Sequence, residues 1–170
     1  MDQHADPTRS LLILWWSATG AARDLAASAC DGALSEAGVN TRLMRCDQAD
    51  SKDVVRADAL MFVFPEMLGG MAGRMKDLFD RTYYQAIDQM AGRPYCAIIT
   101  AGSDGAGAAR QIARIATGWR LREAAPPLVV LTHAQTPEQI LAAKTVDPSE
   151  LARARDLGAM LAAGLAVGVW

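Results

Sequence analysis

Ser17, Thr19 and Gly20 stand where the apolar run Leu11 to Trp16 ends and a helical pattern begins, in the order Ser17-Ala18-Thr19-Gly20-Ala21-Ala22. Two hydroxyls, a glycine that can turn tightly and the free N–H groups of a starting helix are donors suited to an anion, a phosphate above all. Two further loops follow apolar runs of their own: Pro65-Glu66-Met67-Leu68-Gly69-Gly70 and Ala101-Gly102-Ser103-Asp104-Gly105. Their glycines would let backbone approach a flat ligand closely. Each feature also has an ordinary reading. The first loop reads equally as a capped strand-to-helix turn. Asp104 in a glycine-rich turn usually bonds its own backbone, and Glu66 is either a ligand contact or a solvated loop acid.

The elements that must position these loops alternate between short β-rich runs and longer segments of helical period, the pattern of a parallel sheet covered on both faces. Strands are expected at Leu11–Trp16, Arg42–Arg45, Ala59–Phe64, Tyr95–Thr100 and Leu128–Leu131. A first helix with Leu25, Ala29, Ala33 and Ala37 on one side runs to Gly38, and Asp47 to Asp58 is a polar crossover. Met71, Met75, Leu78, Phe79 and Thr82 mark a second helix, and Ala108 to Leu121 a third. Thr136-Pro137-Glu138-Gln139 and Asp147-Pro148-Ser149-Glu150 each supply a cap, a proline at the first helical position and a Glu or Gln three residues after the cap, so two more helices start there. Leu151, Ala154, Gly158, Leu161 and Leu165 would dock the last one.

Such strands with right-handed crossovers favour one three-layer α/β/α domain over residues 1–170, a doubly wound five-stranded parallel sheet in the order 2-1-3-4-5. That order sets the ends of the first, third and fourth strands side by side, so the three loops converge at the carboxyl edge. Trp15 and Trp16 point to opposite faces, so at most one reaches a ligand and core packing is expected of both. Trp119 reads as a helix-to-sheet packing residue.

The 170 residues carry 17 basic and 19 acidic side chains without a dense basic cluster, which argues against a nucleic-acid partner. Cys30, Cys46 and Cys96 lie far apart in apolar settings, which points to buried thiols in a reducing cytoplasm. His4 and His133 are too far apart to suggest a metal site. The run Leu11 to Trp16 is short for a signal peptide, and Asp2 and Asp6 precede it, so none is expected. Ala159 to Trp170 is apolar but too short to span a membrane, which leaves a docked or partner-facing helix.

Together the three loops resemble the flavodoxin-like FMN proteins, in particular the branch of NAD(P)H-dependent FMN reductases and quinone reductases that includes the tryptophan repressor-binding proteins. The family's phosphate loop, Ser/Thr-x-Thr-Gly-x-Thr, is similar to Ser17 through Ala22, with the last hydroxyl missing at Ala22. The run Ala57 to Arg81, with Pro65, Gly70, Met75, Lys76, Asp80 and Arg81, resembles the family segment whose loop wraps the isoalloxazine ring. Met67-Leu68 stands where many members place an aromatic ring. The stretch Thr100 to Gly107 resembles the family's glycine-rich loop on the far side of the flavin. A Gly-x-Gly-x-x-Gly at the first helix is absent, so the likeness is not to a Rossmann dinucleotide site.

The resemblance implies an FMN-binding oxidoreductase that takes electrons from NAD(P)H and passes them to a quinone, a flavin or another small acceptor. Ser17 to Ala22 would hold the phosphate, Pro65 to Gly70 cover the ring and Ala101 to Gly105 close the far side, with no side chain assigned as general acid or base. Two other roles fit the same scaffold. One is an electron carrier between proteins, although a net charge of −2 is low for docking to basic partners; the other is a flavin-free interaction protein. Relatives in this family are often oligomers, and a Met-rich second loop with an apolar C-terminus leads to the expectation of a homo-oligomer.

Overall fold

The computed structural model describes residues 9–170. His4, Asp2 and Asp6 lie outside the described residues. A parallel sheet is built from β1 (Arg9–Trp15), β2 (Val39–Arg45), β3 (Ala59–Met67) and β5 (Pro94–Ala101), with short β6 (Arg122–Glu123) and β7 (Leu128–Leu131) at its far edge. The order β2-β1-β3-β5 is completed by β6 and β7, which both pair with β5. They are two pieces of one fifth strand. Arg122–Glu123 lies beside Pro94–Tyr95, then Ala124 to Pro127 interrupts the ladder before Leu128–Leu131 lies beside Ile98–Ala101. The proline pair Pro126-Pro127 offers no N–H to the ladder, which accounts for the break.

The expected order is therefore the observed one, with a split last strand. All eight residues of β5 are buried, as suits a central strand covered on both sides. β2 is an edge strand, exposed or half-buried after its first residue, and starts at Val39, ahead of the expected Arg42.

On one face α1 (Ala21–Ala33) and α6 (Pro148–Ala166) pack on the sheet and on each other. Their approach is set by a reciprocal pair of glycines: a Cβ on Gly32 would meet the Arg155 carbonyl oxygen at 1.9 Å, and one on Gly158 the Ala29 carbonyl oxygen at 1.9 Å. The opposite face carries α2 (Ser51–Arg56), α3 (Gly73–Ala86) and α4 (Ala106–Gly118). Short α5 (Pro137–Leu141) lies between β7 and α6 in the chain.

Several expectations need correction. α1 ends at Ala33, not near Gly38, because Ser35 turns the chain and its hydroxyl donates to the Gly32 carbonyl at 2.6 Å; Ala37 is outside the helix and exposed. The polar crossover contains α2, started by a box in which the Asp50 carboxylate accepts from the N–H of Lys52 and Asp53 while Asp53 accepts from the N–H of Asp50. Met71 belongs to β4 (Gly70–Met71), which folds back on β3, and α3 begins two residues later. Trp119 is, as expected, buried in the core the helices share with the sheet; its ring centroid lies 5.2 Å from that of Phe79 and 5.8 Å from that of Tyr83, and its indole N–H donates to the Tyr83 carbonyl.

Met61, Met71 and Met75 are buried, so the Met-rich surface reduces to Met67. The C-terminal helix likewise buries Leu161, Ala162 and Leu165, and the exposed large apolar residues Val167 and Val169 lie past its end at Ala166. All three cysteines are free and buried. Among the described residues no helix is long and apolar enough to cross a membrane.

Candidate functional site

The loops after β1, β3 and β5 meet at the carboxyl edge of the sheet. The first is closed on itself: the Gly20 N–H donates to Ser17 Oγ at 2.9 Å, which leaves the Ser17 hydroxyl proton free to donate outward. Gly20 takes φ 103, a conformation that strains any side chain, and hands over directly to Ala21, the first residue of α1. The first helical bond recorded is from the Asp24 N–H to the Gly20 carbonyl at 3.0 Å, and no side chain caps α1. The N–H groups of Ala21, Ala22 and Arg23 are thereby presented to the edge of the sheet. Ala22, where the family pattern has a hydroxyl, is only 1% exposed and packs in the core with Leu25 and Ala26. Its contribution to the loop is its backbone.

In the second loop Pro65, Glu66 and Met67 form the end of β3, and a hairpin returns the chain through Gly70 and Met71. Leu68 and Gly69 make the turn with φ 52 and φ 75. Both central residues of this two-residue turn are left-handed, which glycine accepts and leucine resists. The Glu66 carboxylate accepts the Ala108 N–H at 3.0 Å through Oε2, so it caps α4 and does not stand free in solvent, while the residue still borders the space between the loops. The Gln111 side-chain oxygen accepts the Met71 N–H at 2.7 Å and ties the returning strand to the same helix.

In the third loop the Asp104 carboxylate accepts the Ala106 N–H at 2.7 Å, the local backbone role expected of an acid there. Between them Glu66 and Asp104 occupy the start of α4. At this edge α1 and α3 both start without a side-chain cap, and of the two it is α1 that continues directly from Ser17 to Gly20.

Two adjoining spaces result. A slot of about 120 Å³ is lined by Ala18, Thr19, Ala21, Pro65, Glu66, Met67, Ala101 and Gly102. Leu68, Gly69, Gly70, Ser103, Asp104 and Gly105 do not border it; they build the tips of loops whose bases do. Beside it, a wider cleft of about 500 Å³ runs along Ser17 to Gly20 toward the end of β2. Trp15 and Trp16 both border this cleft, contrary to the expectation that only one could, because the chain turns at Ser17 while each indole still packs on its own side of the sheet.

Further residues complete the walls, and of these local sequence patterns singled out Thr100 alone. Thr100 and Thr132 sit at the ends of β5 and after β7, and Ala134 follows. Ile140, Leu141 and Lys144 come from α5 and the turn behind it, which lies across the edge as a strap. The Lys144 N–H donates to the Thr19 carbonyl at 2.9 Å, and its ammonium donates to the carbonyls of Gln139, Ile140 and Ala142. The one available signal was the capping box of Thr136 with Gln139; it revealed the helix but not where it lies.

The electrostatics are those of a modest anion site. Arg23 is paired with Asp24 and Arg45 with Asp47, each ion pair holding its arginine protonated and, for Asp47, holding the carboxyl below its usual range. Lys144 and the start of α1 are the positive charge that these carboxylates leave uncancelled, the helix start being worth about half a unit charge. Arg110 and Arg120 line neither space, and Arg114 borders a separate groove between α3 and α4. The Ser17 hydroxyl and the backbone N–H groups are a donor set that fits a phosphomonoester, the Lys144 ammonium adds charge while its own donors stay on carbonyls, and the apolar slot beside it fits an edge of a planar ring.

The family model for NADPH-dependent FMN reductase matches residues 47–136, just over half of the chain. The chain belongs to that family. The matched stretch holds the second and third loops and begins beyond the first. A flavodoxin of Aquifex aeolicus (strain VF5) is 30% identical over 97 residues, which are 57% of this chain and 52% of that protein, so the match spans about half of the relative's length. Among solved structures, a flavodoxin from the domain Archaea superposes with a TM-score of 0.74 at 15% identity, over 92% of this chain and 98% of that one. A WrbA-like flavodoxin from Agrobacterium tumefaciens gives 0.63 at 15% identity, over 95% and 98%. At such identity these two establish the flavodoxin-like fold. The family and the fold agree: the chain is a flavodoxin-like member of the NADPH-dependent FMN reductase family.

Proposed function

We propose that this chain is an enzyme that binds FMN at the carboxyl edge of its sheet, takes electrons from NAD(P)H and delivers them to a quinone, a flavin or another small acceptor. The observation that carries the reading is the juxtaposition of an uncapped helix start and a free hydroxyl proton at Ser17 with an apolar slot between Pro65–Met67 and Ala101–Gly102. FMN, when bound, supplies the redox chemistry. The chain binds and orients. Ser17 and the N–H groups of Ala21 and Ala22 take the phosphate, with Thr19 beside them, and the Lys144 ammonium adds charge. Pro65 and Met67 lie along one side of the ring and Ala101 and Gly102 along the other.

At about 120 Å³ the slot is smaller than the 300–1,000 Å³ of typical ligand pockets, so ring entry moves the strap bearing Ile140 and Leu141 outward or leaves a ring edge in water. An exposed edge is where a nicotinamide or a quinone would approach. No side chain acts as acid or base in this reading.

A second reading, an electron carrier between proteins, is favoured by the name of the curated relative and by Leu68, fully exposed at the hairpin tip. The test is a titration of apoprotein with FMN followed by anaerobic addition of NADPH or NADH. Tight binding with rapid bleaching of the flavin band supports the enzyme. Binding without bleaching assigns the carrier role, and failure to bind FMN leaves an interaction protein on the same scaffold. Self-association is part of the proposal, and sedimentation that finds only monomer at micromolar concentration would refute it.

A further inference from the structure

The phosphate side of the site is larger than its proposed occupant needs. A phosphoryl group beside Ser17 to Gly20 fills a small part of a cleft of about 500 Å³. The remainder extends away from the ring slot to the end of β2, where FMN places nothing. Its walls there are two indoles, Trp15 and Trp16, and the guanidinium of Arg45.

Arg45 is preorganised. Its Nε and Nη2 donate to the Asp47 carboxylate at 3.0 and 2.6 Å, which fixes the guanidinium plane, and its centre lies 5.9 Å from the Trp15 ring centroid. The side chain nevertheless stays 47% exposed. Arg23 folds back over the phosphate loop, its Nη2 3.6 Å from where a Cβ on Gly20 would stand. A planar arginine 5.9 Å from an indole centroid, next to anion donors, is a surface for a purine base carried on a phosphate.

We propose that this cleft is an adenylate site, and that the protein accepts FAD as well as FMN, the second phosphate lying by Arg23 and the adenine against Arg45 and the tryptophan pair. The inference rests on the flavin reading above. It adds that the ligand can continue past its first phosphate, because the chain leaves that direction open. An adenylate could also arrive as part of NADPH. FAD is the occupant the geometry favours, since its adenylate is joined by a phosphoanhydride bond to the phosphate that the first loop holds, and the cleft leads away from the edge where a nicotinamide meets the ring.

The experiment titrates full-length apoprotein with FMN and with FAD, following flavin fluorescence and heat, for the wild type and Arg45→Ala, and measures the KM for NADPH of both proteins loaded with FMN. The wild type should bind FAD at least as tightly as FMN. Arg45→Ala should weaken FAD roughly 5- to 50-fold, the scale of one lost base-stacking contact, while FMN affinity and the NADPH KM stay within twofold. Binding of FMN with FAD more than tenfold weaker overturns the adenylate site and leaves the FMN reading intact. Equal weakening of both flavins also overturns it, as does a rise in the NADPH KM with FAD unchanged, which would assign the cleft to the pyridine nucleotide. Failure to bind either flavin removes both readings.

Discussion

Gly107 is the point where the ring-side hairpin rests on α4, and Gly107→Ala tests whether that contact holds the site together. A Cβ there would lie 1.7 Å from the Gly69 carbonyl oxygen and 3.4 Å from Glu66 Oε2, whereas real contacts are not shorter than 3.0 Å. The hairpin tip must therefore withdraw by more than about 1 Å, against repulsion that rises steeply. Withdrawal stretches the 3.0 Å bond from the Ala108 N–H to Glu66 and the 2.7 Å bond from the Met71 N–H to Gln111. Overpacking costs about 1–3 kcal/mol and the lost helix cap about 1 kcal/mol, partly overlapping, so a net loss of about 2–3 kcal/mol is expected. For a domain of this size that lowers the melting temperature by roughly 5–10 °C. Displacement of Pro65 to Met67 should weaken FMN at least tenfold, about 1.4 kcal/mol. Gly73→Ala is the control: it starts α3, has nothing within 4 Å and should stabilise by about 0.4–1 kcal/mol. Calorimetry and a flavin titration on both variants provide the comparison. A Gly107→Ala protein with unchanged melting temperature and FMN affinity would show that the hairpin is not braced by α4.

Ser17→Ala removes the free hydroxyl proton and strands the Gly20 N–H, so the FMN dissociation constant should rise roughly 10- to 150-fold with about 1 kcal/mol of stability lost; Ser17→Thr should restore both, and an unchanged titration curve for the alanine variant would refute the phosphate role. Leu68→Asn relieves the φ 52 strain in the hairpin turn and should raise the urea midpoint by an amount equivalent to about 0.5–1 kcal/mol, whereas a fall would mean that the exposed leucine packs on something in solution. Burial pushes the Cys46 thiol up to about 11 and the Cys96 thiol up to about 12. Both are therefore protonated in the folded protein and should alkylate slowly at pH 8 but rapidly in urea. The sign of the pH effect follows: the unfolded chain ionises its thiols near pH 8.5, before the folded one, so folding stability should decline as the pH rises above that value. Complete labelling of the native protein would contradict the burial.

The parts of the fold legible in the sequence are those written in apolar periodicity. β1, β3 and β5 are runs such as Leu11-Leu12-Ile13-Leu14, buried on both faces, and no edge or turn chemistry is needed to find them. β2 starts ahead of its expected place because an edge strand has one wet side: Val39 to Thr41 read as loop although they pair with Arg9 to Leu11. α2 escaped because a six-residue helix leaves little periodicity; Asp50 and Asp53 were its signature. The end of α1 was misjudged because a hydroxyl, Ser35, terminates it before Gly38 is reached.

The site was legible only as far as its backbone. Glycine and hydroxyl patterns located all three loops, because a tight turn after a buried strand constrains residue type locally. What the side chains do there depends on partners far away in sequence. Glu66 meets Ala108 across 42 residues, and Arg45 meets Trp15 across two strands. The consequence is a division of labour within the edge. The carboxylates of Glu66 and Asp104 are consumed in starting α4, which fixes the ring-side loops, while α1 receives no carboxylate cap and keeps its N–H groups for an anion. Had Asp104 or Glu66 capped α1 instead, the same fold would repel a phosphate. The side on which the acidic caps fall limits which helix start can hold the ligand: α1 and α3 are left without one, and of these α1 is the start beside Ser17 and the open, tryptophan-walled cleft.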